Sequence, residues 1–178
     1  EFKSGRSGII ALNLRDNDEI VTTLLTGDED KVFLATRDGK TIQFSVEDVR
    51  PMGRTATGVR GILLEKDDVV VSAEVVEEEN PLLAVTSLGY GKGTDKDEYR
   101  LQSRGGKGLK LMKLTSKTGL VVGVRQIHTE KDDIMLITKN GKTIRISASE
   151  VSVIGRNTQG TRLMNTSGDE IISFTVVP

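Results

Sequence analysis

The chain has 178 residues and a formal net charge of −1, with 25 Lys and Arg residues against 26 Asp and Glu residues. Aromatic residues make up only 3% of it, and there is neither Trp nor Cys. The core must therefore be built from Val, Ile and Leu, which favours β-strands, and disulfides and thiolate metal sites are excluded. The sequence has no apolar run of about 18 residues and no apolar signal-peptide core near its start. These features suit a cytoplasmic protein without a membrane partner.

A repeat of about fifty residues is the strongest pattern in the sequence. Segments beginning SGIIALNL, TGVRGILL, KGLKLMKL and QGTRLMNT align on glycines spaced 50, 50 and 52 residues apart: Gly8, Gly58, Gly108 and Gly160. Self-similarity at a fixed period indicates a repeat architecture. We interpret residues 1–178 as a single partial domain that contains units 8–57, 58–107 and 108–159 and a closing half-unit 160–178.

Each unit is predicted to form four short β-strands in the same order. A strand follows the glycine, and a second strand follows an acidic turn, as in EIVTTLLT, VVVSAEVV, LVVGVRQI and EIISFTVV. A hairpin comes next, as in KVFLATRDGKTIQF and IMLITKNGKTIRI. Asp38-Gly39 and Asn140-Gly141 predict two-residue turns with positive φ at both central positions. Leu88-Gly89 replaces this pair in the second unit and predicts a distorted or longer hairpin.

Four-stranded units at this period are typical of propeller blades. No segment has a helical apolar period over three turns, although SVEDVR and SASEVS are each long enough for one helical turn. The half-unit at the end indicates that neighbouring blades share strands. The predicted fold is therefore all-β, a β-pinwheel or propeller-like array of four-stranded blades. Residues 160–178 should pack on the preceding unit and bury Leu163, Ile171 and Phe174, and residues 8–26 should lack the blade that they would complete.

Basic residues gather where one unit passes into the next. We call these segments the first, second and third junctions: residues 49–64, 99–114 and 151–166. Together they hold ten basic residues and no acidic one: Arg50, Arg54, Arg60, Arg100, Arg104, Lys107, Lys110, Lys113, Arg156 and Arg162. Equivalent segments of a radial repeat should share one edge, and a basic rim binds a polyanion by releasing its counterions. Acidic turns elsewhere would keep DNA off the other face. The alternative is that these charges only solvate loops.

The second junction contains the run LQSRGGKGLK. Its glycines would let the backbone approach a phosphate and offer N–H groups to it: Gly105, Gly106 and Gly108. Arg104 would bind a phosphate with two hydrogen bonds, and Lys107 would act as a mobile charge. Gln102 would hydrogen-bond a phosphate, a sugar or its own loop. No aromatic residue flanks the run, which favours contact with a duplex backbone over base stacking. Replacing these exposed basic residues should leave stability almost unchanged.

The sequence offers little support for catalysis within this chain. Tyr90 and Tyr99 are the only tyrosines and His128 is the only histidine. Neither tyrosine has a neighbouring histidine or an acidic metal cluster, so both are expected to be packing residues. We predict no catalytic residue, no metal site and no cofactor.

QSRGGKG, residues 102–108, resembles the heptapeptide box of the family of DNA gyrase A subunits, which reads Gln, basic residue, Arg-Gly-Gly, basic residue, Gly. Six of the seven positions agree, and Ser103 departs from the second. The stretches GYGKGTDKDEYRLQSRGGKGLK, VRPMGRTATGVRGI and VIGRNTQGTRLM also resemble later blades of that subunit's C-terminal domain. The similarity covers nearly the whole chain. Because one unit precedes the box-like run, we expect a later-blade copy of the box in a chain of about three final blades.

The resemblance implies a β-pinwheel that wraps duplex DNA around its perimeter with little sequence specificity and so supports ATP-dependent negative supercoiling. The expected DNA-binding residues are Gln102, Arg104, Gly105, Gly106, Lys107, Gly108, Lys110, Arg54, Arg60, Arg156, Arg162, Arg100 and Lys113. The implied partners are the rest of the gyrase A subunit, through which the domain would join the gyrase B subunit in a heterotetramer at the bacterial nucleoid. The catalytic tyrosine and the ATPase would lie outside this chain. Two alternatives stay open: the equivalent domain of the topoisomerase IV A subunit, and a propeller that binds an acidic protein.

Overall fold

The structure is a computed structural model that describes residues 9–77 and 79–178. Its described residues form eleven strands: β1 (Lys31–Thr36), β2 (Lys40–Ser45), β3 (Val70–Val75), β4 (Leu82–Thr86), β5 (Tyr90–Thr94), β6 (Leu109–Lys110), β7 (Val121–Gln126), β8 (Asp133–Thr138), β9 (Thr143–Ser147), β10 (Thr161–Arg162) and β11 (Ile171–Val177). The first sheet has the order β3-β1-β2-β6, the second β10-β5-β4-β7 and the third β11-β8-β9, all antiparallel. The all-β prediction is confirmed.

Each sheet is assembled from successive repeat units. In the first sheet, the β1–β2 hairpin comes from one unit, β3 from the next, and the two-residue strand β6 from the one after. The second sheet repeats this arrangement with the β4–β5 hairpin, β7 and β10. The third sheet combines the β8–β9 hairpin with β11. The predicted sharing of strands between neighbouring blades is therefore confirmed.

The strands that follow the junctions lie where neighbouring sheets meet. β7 packs against both β3 and β11. Between β3 and β7, the Ser72 hydroxyl donates to the Val124 carbonyl at 2.8 Å, and Arg125 forms an ion pair with Glu74. The strands β6 and β10 lie at the opposite edges of their sheets. The junctions that contain β6 and β10 are consequently placed on the outer edge of the array.

Two hydrophobic clusters fill the spaces between the three sheets. Successive side chains of a strand point to opposite faces, and β4 uses both faces: Leu83 belongs to the cluster shared with the third sheet, and Leu82 to the cluster shared with the first. The closing strands contribute Ile171 and Phe174, which are 2% and 8% exposed, and Leu163 packs against the same cluster. The expected burial is therefore confirmed for Ile171 and Phe174, whereas Leu163 is only partly buried.

All three hairpins use the same three-residue loop with glycine in its last position. Only the glycines have positive φ, with values of +80° at Gly39, +85° at Gly89 and +85° at Gly141. Each glycine N–H donates to the carbonyl of the threonine three residues earlier, at 3.0 to 3.1 Å. The predicted two-residue turns are therefore wrong, and so is the distorted hairpin in the second unit. A three-residue loop needs only one left-handed residue, so the residue before the glycine is free to vary.

A single 3₁₀ turn follows each hairpin and leads into a junction. These turns are Val46–Asp48, Lys96–Glu98 and Ala148–Glu150. A side-chain oxygen of the preceding residue caps each turn by accepting a backbone N–H: Ser45, Asp95 and Ser147. SVEDVR and SASEVS, each long enough for one helical turn, thus contain 3₁₀ turns, and a third 3₁₀ turn occupies the same place in the second unit.

Residues 9–26, which we call the leading segment, form no strand and are exposed. Their counterparts after the later glycines include β3, β7 and β11, each of which pairs with a hairpin. The leading segment has no such hairpin beside it, and EIVTTLLT forms no ladder, contrary to the strand prediction. This matches the expectation that residues 8–26 lack a blade to complete, although Gly8 itself lies outside the described residues.

Candidate nucleic-acid interface

Each of the second and third junctions touches an outer strand twice. Leu101 forms a bridge to Gln43 of β2 before β6 pairs with the same strand. In the third junction, Val153 bridges to Gly93 of β5 before β10 pairs there. Each of these two junctions therefore forms a loop between two contacts with the sheet edge. Arg104 and Lys107 lie within the loop of the second junction, and Arg156 lies within that of the third.

The repeat glycines are needed where the junction returns to the strand. Gly108 has φ +69°, and a Cβ atom there would lie 2.3 Å from the Thr41 carbonyl oxygen. Gly160 has φ +79°, and its Cβ would lie 2.5 Å from the Gly91 carbonyl oxygen. Both the left-handed conformation and the close approach exclude other residues. These glycines therefore have a structural role.

Neighbouring junctions are joined by an equivalent backbone hydrogen bond. The donor is the backbone N–H five residues after one repeat glycine, and the acceptor is the carbonyl two residues before the next repeat glycine. The three bonds run from Asn13 to Ala56 at 3.3 Å, from Leu63 to Gly106 at 2.8 Å and from Lys113 to Thr158 at 2.9 Å. The structure therefore brings the three junctions together, in chain order, along one edge of the array. The leading segment continues the row at its start.

Seven of the basic residues predicted to bind DNA are exposed on this edge: Arg54, Arg60, Arg100, Lys107, Lys110, Lys113 and Arg162. Lys107 and Lys110 form no ion pair with the described residues. Arg162 is held in place, because its guanidinium lies 5.4 Å from the centre of the Tyr90 ring and donates to the Tyr90 hydroxyl at 3.2 Å. The edge thus carries both mobile ammonium groups and an oriented guanidinium.

Arg104 carries a positive charge and also links two junctions through its side chain. Its Nε donates to the Asp48 carbonyl at 2.8 Å, and its Nη1 donates to the Arg60 carbonyl at 3.2 Å. The side chain thereby links the second junction to the first and is only half exposed. These two contacts argue against the expectation that Arg104 can be removed without a stability cost. A guanidinium carries five N–H donors, so further donors remain for a ligand.

The glycine pair and Gln102 have different roles from those predicted. The Gly105 N–H donates to the Gly61 carbonyl at 2.6 Å, and the Gly106 carbonyl accepts from Leu63. The Gln102 N–H donates to the Gln43 carbonyl at 2.8 Å, and its side-chain Nε2 is buried. These groups join the junctions to one another and to β2. In this arrangement the Gly105 N–H and the Gln102 Nε2 are not available to a phosphate.

A buried lysine supports the third junction. Lys92 of β5 is 0% exposed, and its Nζ donates to the Gly155 carbonyl at 2.8 Å. Burial lowers the pKa of Lys92 to about 8; the nearby Glu98 opposes this shift and Arg156 adds to it. The equivalent positions of the other hairpins are Ile42 and Ile144. Sequence reasoning missed this residue, but a lysine that interrupts an otherwise apolar repeat position is the signal that would have found it.

The acidic residues are not confined to a separate face. A Glu98 carboxylate oxygen accepts from the Arg156 N–H at 3.2 Å, and Glu65 pairs with Lys40 at 3.4 Å. Asp68 is buried and accepts from the Asp38 N–H at 3.0 Å at the tip of the first hairpin. Part of the acidic pattern therefore fixes turns, a structural role that the sequence interpretation did not assign to these residues.

Asp169 repeats the role of Asp68 in the third sheet. It is buried and accepts from the Asn140 N–H at 3.3 Å and from the Glu170 N–H at 2.8 Å. The Thr138 hydroxyl, which also hydrogen-bonds this carboxylate, lowers the pKa of Asp169 together with those backbone donors. A charged carboxylate therefore stabilises the tip of this hairpin.

Tyr99 is a core residue, as expected. Its ring packs edge-on against Phe33 with the ring centres 5.1 Å apart, and its hydroxyl donates to the Leu111 carbonyl at 3.4 Å. Burial raises the pKa of Tyr99 to about 12. Within residues 9–77 and 79–178, His, Asp and Glu side chains form no group of three that could hold a metal ion. The same part of the chain contains no helix long and apolar enough to cross a membrane.

The family described as "DNA gyrase C-terminal domain, beta-propeller" matches residues 2–26, 30–77, 80–128 and 132–178. The chain belongs to this family. The resemblance found in QSRGGKG and its surroundings is therefore confirmed, and so are the propeller-like fold and the correspondence to a C-terminal domain from a type II topoisomerase.

Individual gyrase proteins and structures agree with this assignment. The chain is 48% identical over 171 residues to the DNA gyrase A subunit of Salmonella typhimurium. The matched region covers 96% of this chain and 19% of that protein. The DNA gyrase A subunit of Lawsonia intracellularis is 41% identical, over 98% of this chain and 22% of that protein. The chain thus spans about a fifth of the length of the curated relatives it matches.

Two solved structures share the fold. A DNA gyrase A C-terminal domain superposes with a TM-score of 0.88 and 28% identity, covering 96% of this chain and 58% of that one. The C-terminal domain of a DNA topoisomerase IV superposes with a TM-score of 0.92 at 23% identity, covering 98% of this chain and 55% of that one. The topoisomerase IV likeness concerns the fold alone.

Proposed function

We propose that this gyrase-family domain binds the phosphates of duplex DNA along the edge formed by its junctions, and bends the DNA around that edge. The observation that carries the proposal is the series of equivalent junction-to-junction hydrogen bonds, which places the exposed basic loops side by side. The loops of the second and third junctions each lie between two contacts with an outer strand, so the sheet fixes their positions. Binding around a curved, pre-organised edge is the basis of wrapping.

The chemistry of this edge favours contact with the sugar-phosphate backbone. The junctions hold ten basic residues and no acidic ones, although the chain as a whole has a net charge of −1. Neutralising phosphates releases condensed counterions, which gives affinity that is strong at low salt and blind to sequence. Tyr90 is engaged with Arg162, so it is not a free platform for stacking bases.

The proposed ligand residues fall into two groups. Lysines with exposed ammonium groups act as mobile charges: Lys107, Lys110 and Lys113. Arginines provide planar guanidinium donors: Arg54, Arg60, Arg100, Arg104, Arg156 and Arg162. The guanidinium groups of Arg104 and Arg162 are held in place by side-chain contacts. The remaining members of the predicted set, Gln102, Gly105, Gly106 and Gly108, shape the loop that presents these side chains.

Within a complete gyrase, we propose that this domain works with the rest of the A subunit, and with the B subunit. Capturing DNA along the curved edge would set the path of the segment that the enzyme passes, and so support ATP-dependent negative supercoiling in the bacterial cytoplasm, at the nucleoid. Family membership and the basic edge support this proposal. Cleavage and ATP hydrolysis belong to other parts of such an enzyme.

Fluorescence anisotropy with labelled duplexes tests the proposal. Two unrelated sequences of equal length should bind with the same affinity, and affinity should rise with duplex length until the edge is fully occupied. A polyglutamate competitor should displace the duplex poorly, because flexible carboxylates do not match a fixed row of phosphates. Equal binding of polyglutamate and duplex would favour a protein-binding propeller instead, and strong preference for one sequence would contradict backbone recognition.

A further inference from the structure

The second and third junctions place an arginine at the same point of the same turn. Arg104 and Arg156 each lie four residues before a repeat glycine, and each is the first residue of the turn in its loop. The Arg104 guanidinium is used within the protein, since it donates to the Asp48 and Arg60 carbonyls at 2.8 and 3.2 Å. Part of its donor capacity is therefore occupied before any ligand binds.

Arg156 has equivalent acceptors in its part of the repeat but does not use them. The carbonyls that correspond to those of Asp48 and Arg60 belong to Glu98 and Lys110. Within the described part of the chain, the Arg156 side chain forms neither a hydrogen bond nor an ion pair. All five N–H donors of its guanidinium are consequently available to a ligand.

A separate set of contacts holds the backbone of Arg156. The peptide group between Gly155 and Arg156 is hydrogen-bonded through both its carbonyl and its N–H. The carbonyl accepts from the Lys92 Nζ at 2.8 Å and from the Thr158 hydroxyl at 2.7 Å, and the N–H donates to a Glu98 carboxylate oxygen at 3.2 Å. Lys92 acts from the interior, because it is 0% exposed, whereas Glu98 is exposed and acts from the surface. These bonds fix the direction in which the Arg156 side chain leaves the backbone.

The second junction is held in a different way. Ile42 occupies the position of Lys92, and its side chain lies beside Gly106, where a Cβ would be 3.6 Å from the Ile42 Cδ1. An isoleucine cannot donate a hydrogen bond to the loop. The second junction is therefore tied by its own arginine, and the third junction by a lysine of the strand beneath it.

We infer that Lys92 is a positioning residue for Arg156: its buried ammonium group holds the Gly155–Arg156 peptide so that the Arg156 guanidinium is free to bind a phosphate. This inference rests on the proposed function of the edge as a phosphate-binding surface. It gives the two equivalent arginines different roles. Arg104 mainly joins the junctions, and Arg156 is a pre-organised ligand. Ordering a binding group in advance lowers the cost of ordering it on binding.

The charges around the third junction favour an anion at Arg156. Burial is the main cause that lowers the pKa of Lys92; Glu98 opposes this shift, and the positive charge of Arg156 adds to it. Two cations therefore lie near a single carboxylate, which leaves one positive charge uncompensated. A phosphate bound to the Arg156 guanidinium would neutralise this excess charge.

A double-mutant cycle on duplex affinity tests the inference. Lys92→Met removes the ammonium group and keeps a long side chain in the buried site, and Arg156→Ala removes the proposed ligand. Arg156→Ala should reduce the slope of log affinity against log salt by roughly 1 and weaken binding roughly five- to tenfold near 0.1 M salt. Lys92→Met alone should also weaken binding. Added to Arg156→Ala, it should change affinity by less than about twofold, the scatter found for additive sites, because nothing remains for Lys92 to position.

Lys107→Ala is the matched control, because it removes one positive charge from another junction. Combined with Arg156→Ala, it should lower affinity by the same factor as it does alone, within about twofold. If Lys92 acted only through its charge, Lys92→Met would behave like this control and weaken Arg156→Ala as much as it weakens the wild type. That result would overturn the inference.

NMR provides a readout that a merely structural role of Lys92 would not change. The Arg156 side-chain Nε–H signal of the wild type should shift when duplex DNA is added. In Lys92→Met this shift should be reduced at the same duplex saturation, while circular dichroism shows native β content. An undiminished shift would overturn the inference. If Lys92→Met fails to fold, Arg156→Ala still decides, because unchanged affinity and salt slope in that variant would exclude Arg156 as a ligand.

The same titrations separate failure of this inference from failure of the proposed function. A wild-type chain that does not bind duplex DNA would refute the proposed function, and this inference with it. A wild-type chain that binds duplex DNA in a salt-dependent way, while Arg156→Ala binds equally well, would refute only the roles assigned to Arg156 and Lys92.

Discussion

Arg104→Ala should destabilise the domain as well as weaken DNA binding. The side chain makes two hydrogen bonds to carbonyls, at 2.8 Å to Asp48 and 3.2 Å to Arg60, and these tie the second junction to the first. A hydrogen bond to a charged donor contributes roughly 1.5–3 kcal/mol when buried. Here the side chain is half exposed and water can replace it at both carbonyls. The expected loss in the free energy of unfolding is therefore about 1–2 kcal/mol in total.

Thermal unfolding followed by circular dichroism measures this loss. For a chain of this length, 1 kcal/mol corresponds to about 2–4 °C in Tm, so Arg104→Ala should lower Tm by about 2–8 °C. Lys107→Ala is the matched control, since Lys107 is exposed in the same loop and forms no ion pair with the described residues. Its stability should stay within about 0.5 kcal/mol of the wild type.

Arg104→Lys separates the charge from the two-bond geometry. A lysine keeps the positive charge but cannot span both carbonyls as a planar guanidinium does. It should recover part of the DNA affinity and less than half of the stability. If Arg104→Ala were as stable as Lys107→Ala, the contacts with Asp48 and Arg60 would not hold the junctions together, and the reasoning about the pre-organised edge would fail.

Three further predictions concern the residues that support the junctions and hairpins. The pKa of Lys92 is lowered to about 8 in the folded chain, from an ordinary value of 10.5. Between pH 8 and pH 10.5 the unfolded chain therefore binds more protons than the folded chain, and the free energy of unfolding should rise with pH in this range. Lys92→Met should abolish this rise in urea unfolding. Gly108→Ala should lower the free energy of unfolding by about 2–4 kcal/mol, because the new Cβ would meet the Thr41 carbonyl oxygen. Gly58→Ala should lower it by only about 1 kcal/mol, because the space around Gly58 is open and only its positive φ is unfavourable for alanine. Thermal melts compare the two variants, and equal losses of stability would contradict the reasoning. Because the pKa of Asp169 is lowered in the folded chain, its carboxylate contributes to stability above the ordinary pKa of an aspartate, and this contribution is lost as the pH falls. In urea unfolding at a series of acidic pH values, Asp169→Asn should therefore lose less stability on acidification than the wild type.

The repeat could be predicted from the sequence because its glycines are required by backbone geometry. Gly108 and Gly160 lie against carbonyl oxygens of outer strands, so neither position tolerates a side chain. Apolar alternation and short strands then predicted the all-β array, and the half-unit predicted shared strands. The unit boundaries at 57/58, 107/108 and 159/160 stay a prediction, because each sheet draws its strands from several units.

The remaining features were missed for two reasons, one local and one tertiary. The hairpin loops could not be assigned from dipeptides, since Asp38 and Asn140 adopt ordinary φ and the glycine alone determines the turn. Arg104 looks like a free phosphate ligand in the sequence, yet its donors reach carbonyls 44 and 56 residues away. A lysine in a strand is usually exposed, but Lys92 is buried and donates to the Gly155 carbonyl of the third junction. For Arg104 and Lys92, contacts with distant segments decide the role of the side chain.

The central claim is that the exposed lysines of the second junction contact DNA phosphates, and the salt dependence of binding tests it most directly. Log affinity for a duplex, plotted against log salt, should have a slope reduced by roughly 2 in Lys107→Ala/Lys110→Ala, about one unit for each lost phosphate contact. The control Lys66→Ala/Lys131→Ala removes the same charge from exposed positions outside the junctions and should keep the wild-type slope. Equal slopes for the wild type and both double variants would contradict the account, as would an equal reduction in both variants.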